Sequence, residues 1–373
     1  MSMTLTLRCH ACAHMHPPTL IYRCPDCGGI LDVEREKTDE RDWCRSDFVA
    51  DAVTLGEGAT PLRKLRTDLL HHAFRGQLLV KDETRNPSGS FKDRLVAAAM
   101  SRALELGATG VVSASSGNAG AAAACYAANA GIPAVIVCPE STPEGKLAQI
   151  VAYGARLEQV PGHYGNAFRH AMALCAETGY ANLTTTYLNP YGVDALRLVG
   201  QELYRQRDDV VPDWIVIPTS SGPLVKGVFQ GFADVAGRVP RLVAAQAEGC
   251  APIARAFAMN QTDVHGWDDP ETIASGISDP LHAYPAEGSL TLSVIRQSGG
   301  VACAVTDASI LKAMADLARK AGLFCEPTGA TSLAAARDLF VAGKIGSNDT
   351  VVCIVTGHGF KDFTAWKNPN MPI

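Results

Sequence analysis

Short apolar runs alternate with amphipathic or alanine-rich segments along most of the chain. The runs that predict strands lie at 78–83, 111–114, 134–138, 156–160, 214–218, 242–246, 301–305 and 351–355. Between them, helical patterns lie at 95–106, 118–129, 143–153 and 170–178. Continuous apolar strands separated by helices are typical of parallel sheets covered on both faces. We therefore predict an α/β fold with two doubly wound parallel-sheet domains.

Composition narrows the classes of protein that fit this pattern. The chain has 373 residues, a formal charge of −5 and 47% hydrophobic residues, with no basic block. This argues against nucleic acid as a partner. Residues 1–8 lack a signal-peptide pattern, and no apolar run is long enough to span a bilayer. Most of the twelve cysteines stand singly in apolar runs, which is typical of reduced, buried thiols. We predict a cytoplasmic protein without a membrane partner.

Four cysteines near the beginning of the chain follow a different pattern, C-x2-C-x11-C-x2-C. They are Cys9, Cys12, Cys24 and Cys27. Four thiolates at this spacing can close a tetrahedral zinc site, and residues 1–35 are too few to fold on a core alone. We predict a structural zinc ribbon. Two disulfides, or a relic that has lost its metal, are the alternatives, and His10, His14 and His16 are possible substitute ligands.

The segment Asn86-Pro87-Ser88-Gly89-Ser90-Phe91-Lys92-Asp93-Arg94 carries the main chemical prediction. Pro87 and Gly89 mark a loop, and Ser90 is a candidate cap for the helix that follows. Lys92 then lies in the first helical turn. The helix dipole disfavours a cation there, and so favours the neutral amine that can attack a carbonyl. The position alone also fits an ordinary surface lysine.

The whole segment resembles the lysine segment of fold-type-II pyridoxal-phosphate (PLP) enzymes, and among them the threonine synthase group most closely. Residues 56–62, Gly-Glu-Gly-Ala-Thr-Pro-Leu, resemble another segment of that family. The resemblance implies a fold like that of the tryptophan synthase β chain, with Lys92 holding PLP as a Schiff base and Phe91 beside it. Some threonine synthases also carry a ribbon before the catalytic region.

Three further loops each follow a predicted strand. The loop at 115–120 opens a helix, where free N–H groups favour an anion, and small residues at 218–225 suit a phosphate. By themselves these loops are also consistent with plain helix caps. The family resemblance implies that Ser115, Ser116 and Gly117 bind the substrate carboxylate. It implies that Asn118 meets the cofactor's phenolic oxygen, that Ser220, Ser221, Gly222 and Leu224 hold its phosphate, and that Thr356 contacts its ring nitrogen.

The predicted substrate is a small amino acid, and threonine synthase-like lyase chemistry on O-phosphohomoserine comes first. Related enzymes carry an arginine after an Asn-Pro-aromatic run, whereas Gly192 stands there in this chain. Arg197, Lys146 and Arg296 are candidate replacements. Because of this difference, PLP-dependent β-elimination or β-replacement is the alternative, such as a serine or threonine deaminase or a cysteine or cysteate synthase. A non-catalytic PLP-binding protein is a third reading.

The predicted organisation has three parts. Residues 1–35 form the zinc ribbon, residues 36–92 and 190–373 form the large PLP-binding domain, and residues 93–189 form the small domain. Residues 36–55 are predicted to be a linker and residues 276–288 a loop. The resemblance also implies a homodimer.

Overall fold

The computed structural model describes residues 5–35, 53–115, 117–142, 144–162, 164–368 and 370–371. The predicted linker at 36–55 therefore lies mostly outside the described residues. The strands are β1 (Leu5–Cys9), β2 (Met15–His16), β3 (Leu31–Arg35), β4 (Leu62–Leu65), β5 (Gln77–Asp82), β6 (Val111–Ala114), β7 (Ala134–Pro139), β8 (Arg156–Val160), β9 (Ala181–Asn182), β10 (Trp214–Pro218), β11 (Arg241–Ala247), β12 (Val301–Val305) and β13 (Thr350–Val355).

Helices connect most of these strands. They are α1 (Lys92–Glu105), α2 (Asn118–Ala130), α3 (Glu144–Ala152), α4 (Tyr164–Thr178), α5 (Pro190–Ala195), α6 (Arg197–Arg205), α7 (Pro223–Ala236), α8 (Pro252–Ala258), α9 (Pro285–Gln297), α10 (Asp307–Ala321) and α11 (Pro327–Val341). Short 3-10 helices lie at Thr67–Leu69, Glu83–Arg85, Ser275–Ile277 and Gly359–Lys367. Within the described ranges, no helix combines the length and apolar character needed to cross a membrane.

The chain divides into two compact units. Unit 1 comprises Met1–Gly58 and Lys92–Leu198, and unit 2 comprises Ala59–Phe91 and Val199–Ile373. The sequence-based division separated residues 1–35 as a domain of their own, whereas the contacts group them with the rest of unit 1.

Unit 1 contains two sheets. The strand order β8-β7-β6-β9 forms a parallel sheet, and the order β2-β1-β3 forms a small antiparallel sheet from the cysteine-rich residues. Every residue of β6 and β7 is buried, as expected for parallel strands covered on both faces. The small sheet buries Leu7, Leu31 and Val33 together with Tyr191 of α5.

Unit 2 contains a six-stranded sheet in the order β12-β11-β10-β13-β5-β4. All its neighbouring pairs are parallel except β4 with β5. Strands β13 and β5 run in register from Thr350 opposite Gln77 to Val355 opposite Asp82. Because parallel strands end at the same edge of a sheet, the residues after β5 and after β13 lie side by side.

The predicted strands agree with the structure to within a residue or two at each end. The predicted loop at 276–288 is wrong in its last part, because α9 begins at Pro285. Proline suits the first position of a helix, since its fixed φ is helical and its missing N–H has no intrahelical partner there. The helix predicted at 170–178 begins earlier, at Tyr164.

Candidate active site

Lys92 is the first residue of α1, in the first helical turn as predicted. Its Nζ donates hydrogen bonds to Oγ1 of Thr185 at 2.7 Å and to the carbonyl oxygen of Thr185 at 3.3 Å. Thr185 is 8% exposed and follows β9. Sequence analysis did not single out Thr185. The run of three threonines at 184–186, at the end of a strand, was the signal that could have found it.

The predicted carboxylate loop lies in the same unit. It follows β6 and leads into α2, whose N-cap is Gly117 and whose first residue is Asn118. Oγ of Ser115 accepts a hydrogen bond from the Gly117 N–H at 3.2 Å, which closes a tight turn. Ser116 lies outside the described residues. The described part of the loop thus presents the beginning of a helix, where backbone N–H groups attract an anion.

In unit 2, the predicted phosphate loop connects β10 to α7. Gly222 is the N-cap of α7 with a φ of 103°, and a Cβ at this position would collide with the Thr291 side chain. Only glycine therefore fits this turn. Oγ1 of Thr291 donates to the carbonyl oxygen of Ser221 at 2.5 Å and so fixes the loop from behind. Leu224 is buried in the first turn of α7.

The side chain of Ser220 is already engaged. Its hydroxyl donates to Oδ2 of Asp279 at 3.1 Å, and the Tyr284 hydroxyl donates to the same carboxylate oxygen at 3.0 Å. A hydroxyl has one hydrogen to donate. In this arrangement Ser220 can offer an anion its backbone N–H but not its hydroxyl hydrogen.

Thr356 directly follows β13, at the edge of the six-stranded sheet where its parallel strands end. It is 1% exposed, and its Oγ1 has no hydrogen-bond partner among the residues that the structure describes. A buried hydroxyl without a partner is costly and points to a group that completes it. The same turn binds the backbone of the lysine segment: the Phe91 N–H donates to the Thr356 carbonyl at 3.0 Å, and the His358 N–H donates to the Gly89 carbonyl at 2.9 Å.

The lysine segment is also anchored by a buried carboxylate that sequence analysis passed over. Glu83 is 0% exposed; it accepts hydrogen bonds from Thr60 Oγ1 at 2.6 Å and from Asn86 Nδ2 at 2.8 Å. Thr60 belongs to the Gly-Glu-Gly segment and Asn86 to the lysine segment. A buried carboxyl group needs such partners. The two motifs recognised separately in the sequence are therefore parts of one hydrogen-bonded network.

The structure gives a reason for glycine at position 192 that the sequence did not reveal. A Cβ at this position would lie 2.7 Å from the Leu95 side chain and 2.9 Å from the Leu95 carbonyl oxygen. Helix α5 approaches α1 too closely here for any side chain. The position cannot supply a guanidinium to a substrate phosphate.

Two of the three candidate replacement cations, Arg197 and Arg296, are engaged by other groups of the protein. Arg197 and Arg35 both pair with Asp194, and the three side chains are 5–10% exposed. This is a buried ion cluster, in which removal of one partner leaves an uncompensated charge. Nη2 of Arg296 donates to the Gln261 carbonyl at 2.6 Å. Lys146 is half-buried on α3.

The four predicted metal ligands converge. The Sγ atoms of Cys9, Cys12, Cys24 and Cys27 all lie within 4.8 Å of one another. The Sγ–Sγ distance is 3.4 Å between Cys9 and Cys27 and 3.7 Å between Cys12 and Cys24. A zinc tetrahedron with bonds of about 2.3 Å has sulfur–sulfur edges of roughly 3.8 Å. The cysteines among the described residues are all free thiols, so the two-disulfide alternative is not what the structure shows.

Of the three histidines predicted as possible substitute ligands, His16 contacts this cluster. Its Nε2 is 3.3 Å from Sγ of Cys24, which is a hydrogen-bond distance for sulfur. His14 instead contacts Asp26. Because four sulfurs already surround the centre, His16 is placed to hydrogen-bond a ligand rather than to replace one.

Comparison with known proteins identifies the family. Residues 53–357 match the pyridoxal-phosphate dependent enzyme family, and the chain belongs to this family. Its relatives include the threonine synthase of Methanosarcina acetivorans, which is 37% identical over 95% of this chain and 92% of its own length. The threonine synthase of Methanocaldococcus jannaschii is 34% identical over the same shares.

Among solved structures, maize serine racemase superposes with a TM-score of 0.71 at 27% identity, covering 83% of this chain and 90% of its own. The prediction of a PLP-dependent enzyme with an α/β fold is confirmed.

Proposed function

We propose that the chain is a threonine synthase, which converts O-phosphohomoserine and water into threonine and phosphate. The observation that carries this proposal is its identity of 37% and 34% to two threonine synthases, over 95% of its length. These alignments also cover 92% of each relative's own length, so the similarity is not confined to one segment of either chain.

The proposed reaction needs PLP, and each unit carries some of the residues that the family resemblance assigns to it. We assign Lys92 to hold PLP covalently, Phe91 and Asn118 to contact it, and the loop of Ser220, Ser221, Gly222 and Leu224 to bind its phosphate. The unpartnered hydroxyl of Thr356 supports its assignment to the ring nitrogen, because that contact would complete its hydrogen bonding. When bound, PLP would supply the electron sink that stabilises the electron pairs left on carbon when the substrate loses its Cα and Cβ protons.

The protein's own side chains would then handle the substrate and its protons. Lys92 takes protons from Cα and Cβ and returns protons to Cα and Cγ, and its contact with Thr185 holds the amine when it is not bound to the cofactor. Ser115, Ser116 and Gly117 bind the substrate carboxylate at the helix N-terminus. Phosphate leaves from Cγ, and Cγ gains a proton and becomes the methyl group. Water adds at Cβ and Cα regains its proton, so that the products are threonine and phosphate.

Gly192 favours a second candidate, PLP-dependent β-elimination or β-replacement. Position 192 has no room for the arginine that would clamp a substrate phosphate. A charged hydrogen-bonded pair is worth roughly 2–3 kcal/mol, or about two orders of magnitude in efficiency. The solved structure of maize serine racemase, with 27% identity, belongs to an enzyme that acts on an amino acid without a phosphate.

Steady-state assays with O-phosphohomoserine, O-phosphoserine, threonine and serine distinguish the two candidates. We expect threonine and phosphate from O-phosphohomoserine, with kcat/KM at least tenfold above the other substrates. Deamination of serine or threonine without any turnover of O-phosphohomoserine would instead establish the second candidate.

Lys92→Ala should remove both turnover and the visible band of the lysine-bound cofactor. A band that persists in this variant would overturn the assignment of Lys92.

We also propose that Cys9, Cys12, Cys24 and Cys27 bind one structural zinc ion. Four thiolates leave no open coordination position for a substrate, so the metal would stabilise the ribbon and take no part in the chemistry. The free thiols are consistent with a reducing compartment such as the cytoplasm. The homodimer stays a prediction, which sedimentation or light scattering can test.

A further inference from the structure

The cysteine-rich ribbon contacts the strand β9 just before Thr185, the residue whose side chain accepts a hydrogen bond from Lys92. Residues 17–22 lie between the two cysteine pairs, and Tyr22 is two residues from Cys24. Its hydroxyl oxygen accepts a hydrogen bond from the Asn182 N–H at 2.7 Å. Asn182 ends β9, the outermost strand of the parallel sheet in unit 1. The flanking N–H groups, of Ala181 and Leu183, bond towards β6, so Tyr22 satisfies an N–H that faces away from the sheet.

Further hydrogen bonds fix the residues from Asn182 to Thr185, which contacts Lys92. Oδ1 of Asn182 accepts from the Thr184 N–H at 2.8 Å, and its carbonyl oxygen accepts from Asn189 Nδ2 at 2.9 Å. Oγ1 of Thr184 accepts from the Ala114 N–H at 3.0 Å. The next residue, Thr185, accepts the two hydrogen bonds of Lys92. The backbone at 182–185 therefore has little freedom as long as Asn182 is held.

The other end of this segment is fastened to the ribbon as well. The Tyr191 hydroxyl donates to the Thr19 carbonyl at 2.8 Å. Asp194 pairs with Arg35 at the end of β3. On α1, which begins with Lys92, Nη2 of Arg102 donates to the Pro18 carbonyl at 2.9 Å. Ribbon contacts thus bracket Thr185 on both sides and also reach the helix that carries the lysine.

We propose that the cysteine-rich ribbon positions the amine of Lys92, through Tyr22, Asn182 and Thr185. Tyr22 and Thr185 are positioning residues: they hold the lysine where it meets the cofactor and, after release, where it meets the substrate. A metal ion that orders the ribbon would keep residues 17–22 in place. Loss of the metal should therefore slow the reaction of Lys92 with PLP, as loss of the Tyr22 hydroxyl should. The catalytic task of Lys92 rests on the proposed function, but its reaction with PLP does not depend on the substrate.

The test measures two quantities on the full-length protein. One is the rate at which the visible band forms when PLP is added to the apoprotein, which reports the attack of the Lys92 amine. The other is kcat and KM for the substrate that the panel identifies. We expect Tyr22→Phe and Thr185→Val each to lower the rate of band formation and kcat by about tenfold, with KM nearly unchanged. Thr185→Ser, which keeps the hydroxyl, should restore both.

Tyr180→Phe is the matched control. Tyr180 lies in the same unit, two residues before Asn182, and packs against the parallel sheet. This variant should behave as wild type. The double variant Tyr22→Phe with Thr185→Val should be no slower than Thr185→Val alone, because both changes act on one chain of contacts. Tyr191→Phe removes the contact at the far end and serves if Tyr22→Phe folds poorly.

Three outcomes would overturn the proposal. The first is a Tyr22→Phe protein that is less stable but forms the band at the wild-type rate. The second is full additivity of the two changes. The third is a zinc-stripped, folded protein whose band forms as fast as that of the metal-loaded protein. Because band formation needs no substrate, a failure here is distinct from a wrong choice between O-phosphohomoserine and another amino acid.

Discussion

Replacing Thr356 by valine should make the cofactor-free protein more stable. Valine has nearly the same shape as threonine and carries no hydroxyl. Oγ1 of Thr356 is buried, with no hydrogen-bond partner in the described ranges, and a buried unsatisfied polar group costs about 1–3 kcal/mol. Thr356→Val removes that cost, so the free energy of unfolding of the apoprotein should rise by a similar amount.

With PLP bound, the same substitution should have the opposite sign. The hydroxyl then has a partner, and losing a satisfied hydrogen bond costs about 1 kcal/mol. The extra stability that saturating PLP confers should therefore be smaller in Thr356→Val than in wild type. Urea denaturation of both proteins, with and without PLP, measures all four free energies.

Thr60→Val provides the matched control in the same unit. Thr60 is 2% exposed, and its hydroxyl donates to the buried carboxylate of Glu83 at 2.6 Å. Its removal should cost about 1–3 kcal/mol in the apoprotein, because the buried Glu83 carboxyl group then loses one of its hydrogen bonds. If Thr356→Val destabilises the apoprotein as Thr60→Val does, then the Thr356 hydroxyl is satisfied within the fold and the argument for its role at the cofactor fails.

Three further predictions follow from the described contacts. Gly192→Ala forces a Cβ against Leu95 and should cost about 1–3 kcal/mol in urea, whereas Gly145→Ala, in open space on α3, should stabilise by about 0.4–1 kcal/mol; equal effects would contradict the packing argument. Metal analysis should find one zinc ion per chain, and Cys12→Ser should lose it together with several kcal/mol of stability; a metal-free wild type would refute this. Burial lowers the pKa of His358, whose Nδ1 also accepts a hydrogen bond from the Phe360 N–H. The unfolded chain therefore takes up the proton first, and the free energy of unfolding should fall as the pH drops below about 6.5. His358→Gln should flatten this dependence of stability on pH, and an unchanged dependence would exclude His358 as its source.

The sequence by itself determined the order of strands and helices and the family. Buried parallel strands leave continuous apolar runs, which can be read locally, and helix beginnings leave proline, glycine and hydroxyl residues. The lysine segment, the loop at 115–120 and the turn at Thr356 are contiguous motifs, so each could be placed at the end of a predicted strand. The spacing of the four cysteines also predicted that they cluster, because metal-ligand spacing is a local property of the sequence.

The tertiary structure alone decided what these motifs contact. Gly192 looked like a missing arginine until the structure placed Leu95 against it, and Arg197 looked like a candidate clamp until Asp194 and Arg35 appeared beside it. Leu95 and Arg35 come from parts of the chain distant from residues 192–197, and no local pattern encodes a pairing over such separations. The same holds for Tyr22 with Asn182, 160 positions apart. Such contacts exist only because packing of unit 1 brings separate segments together, and these contacts decide how unit 1 could support Lys92.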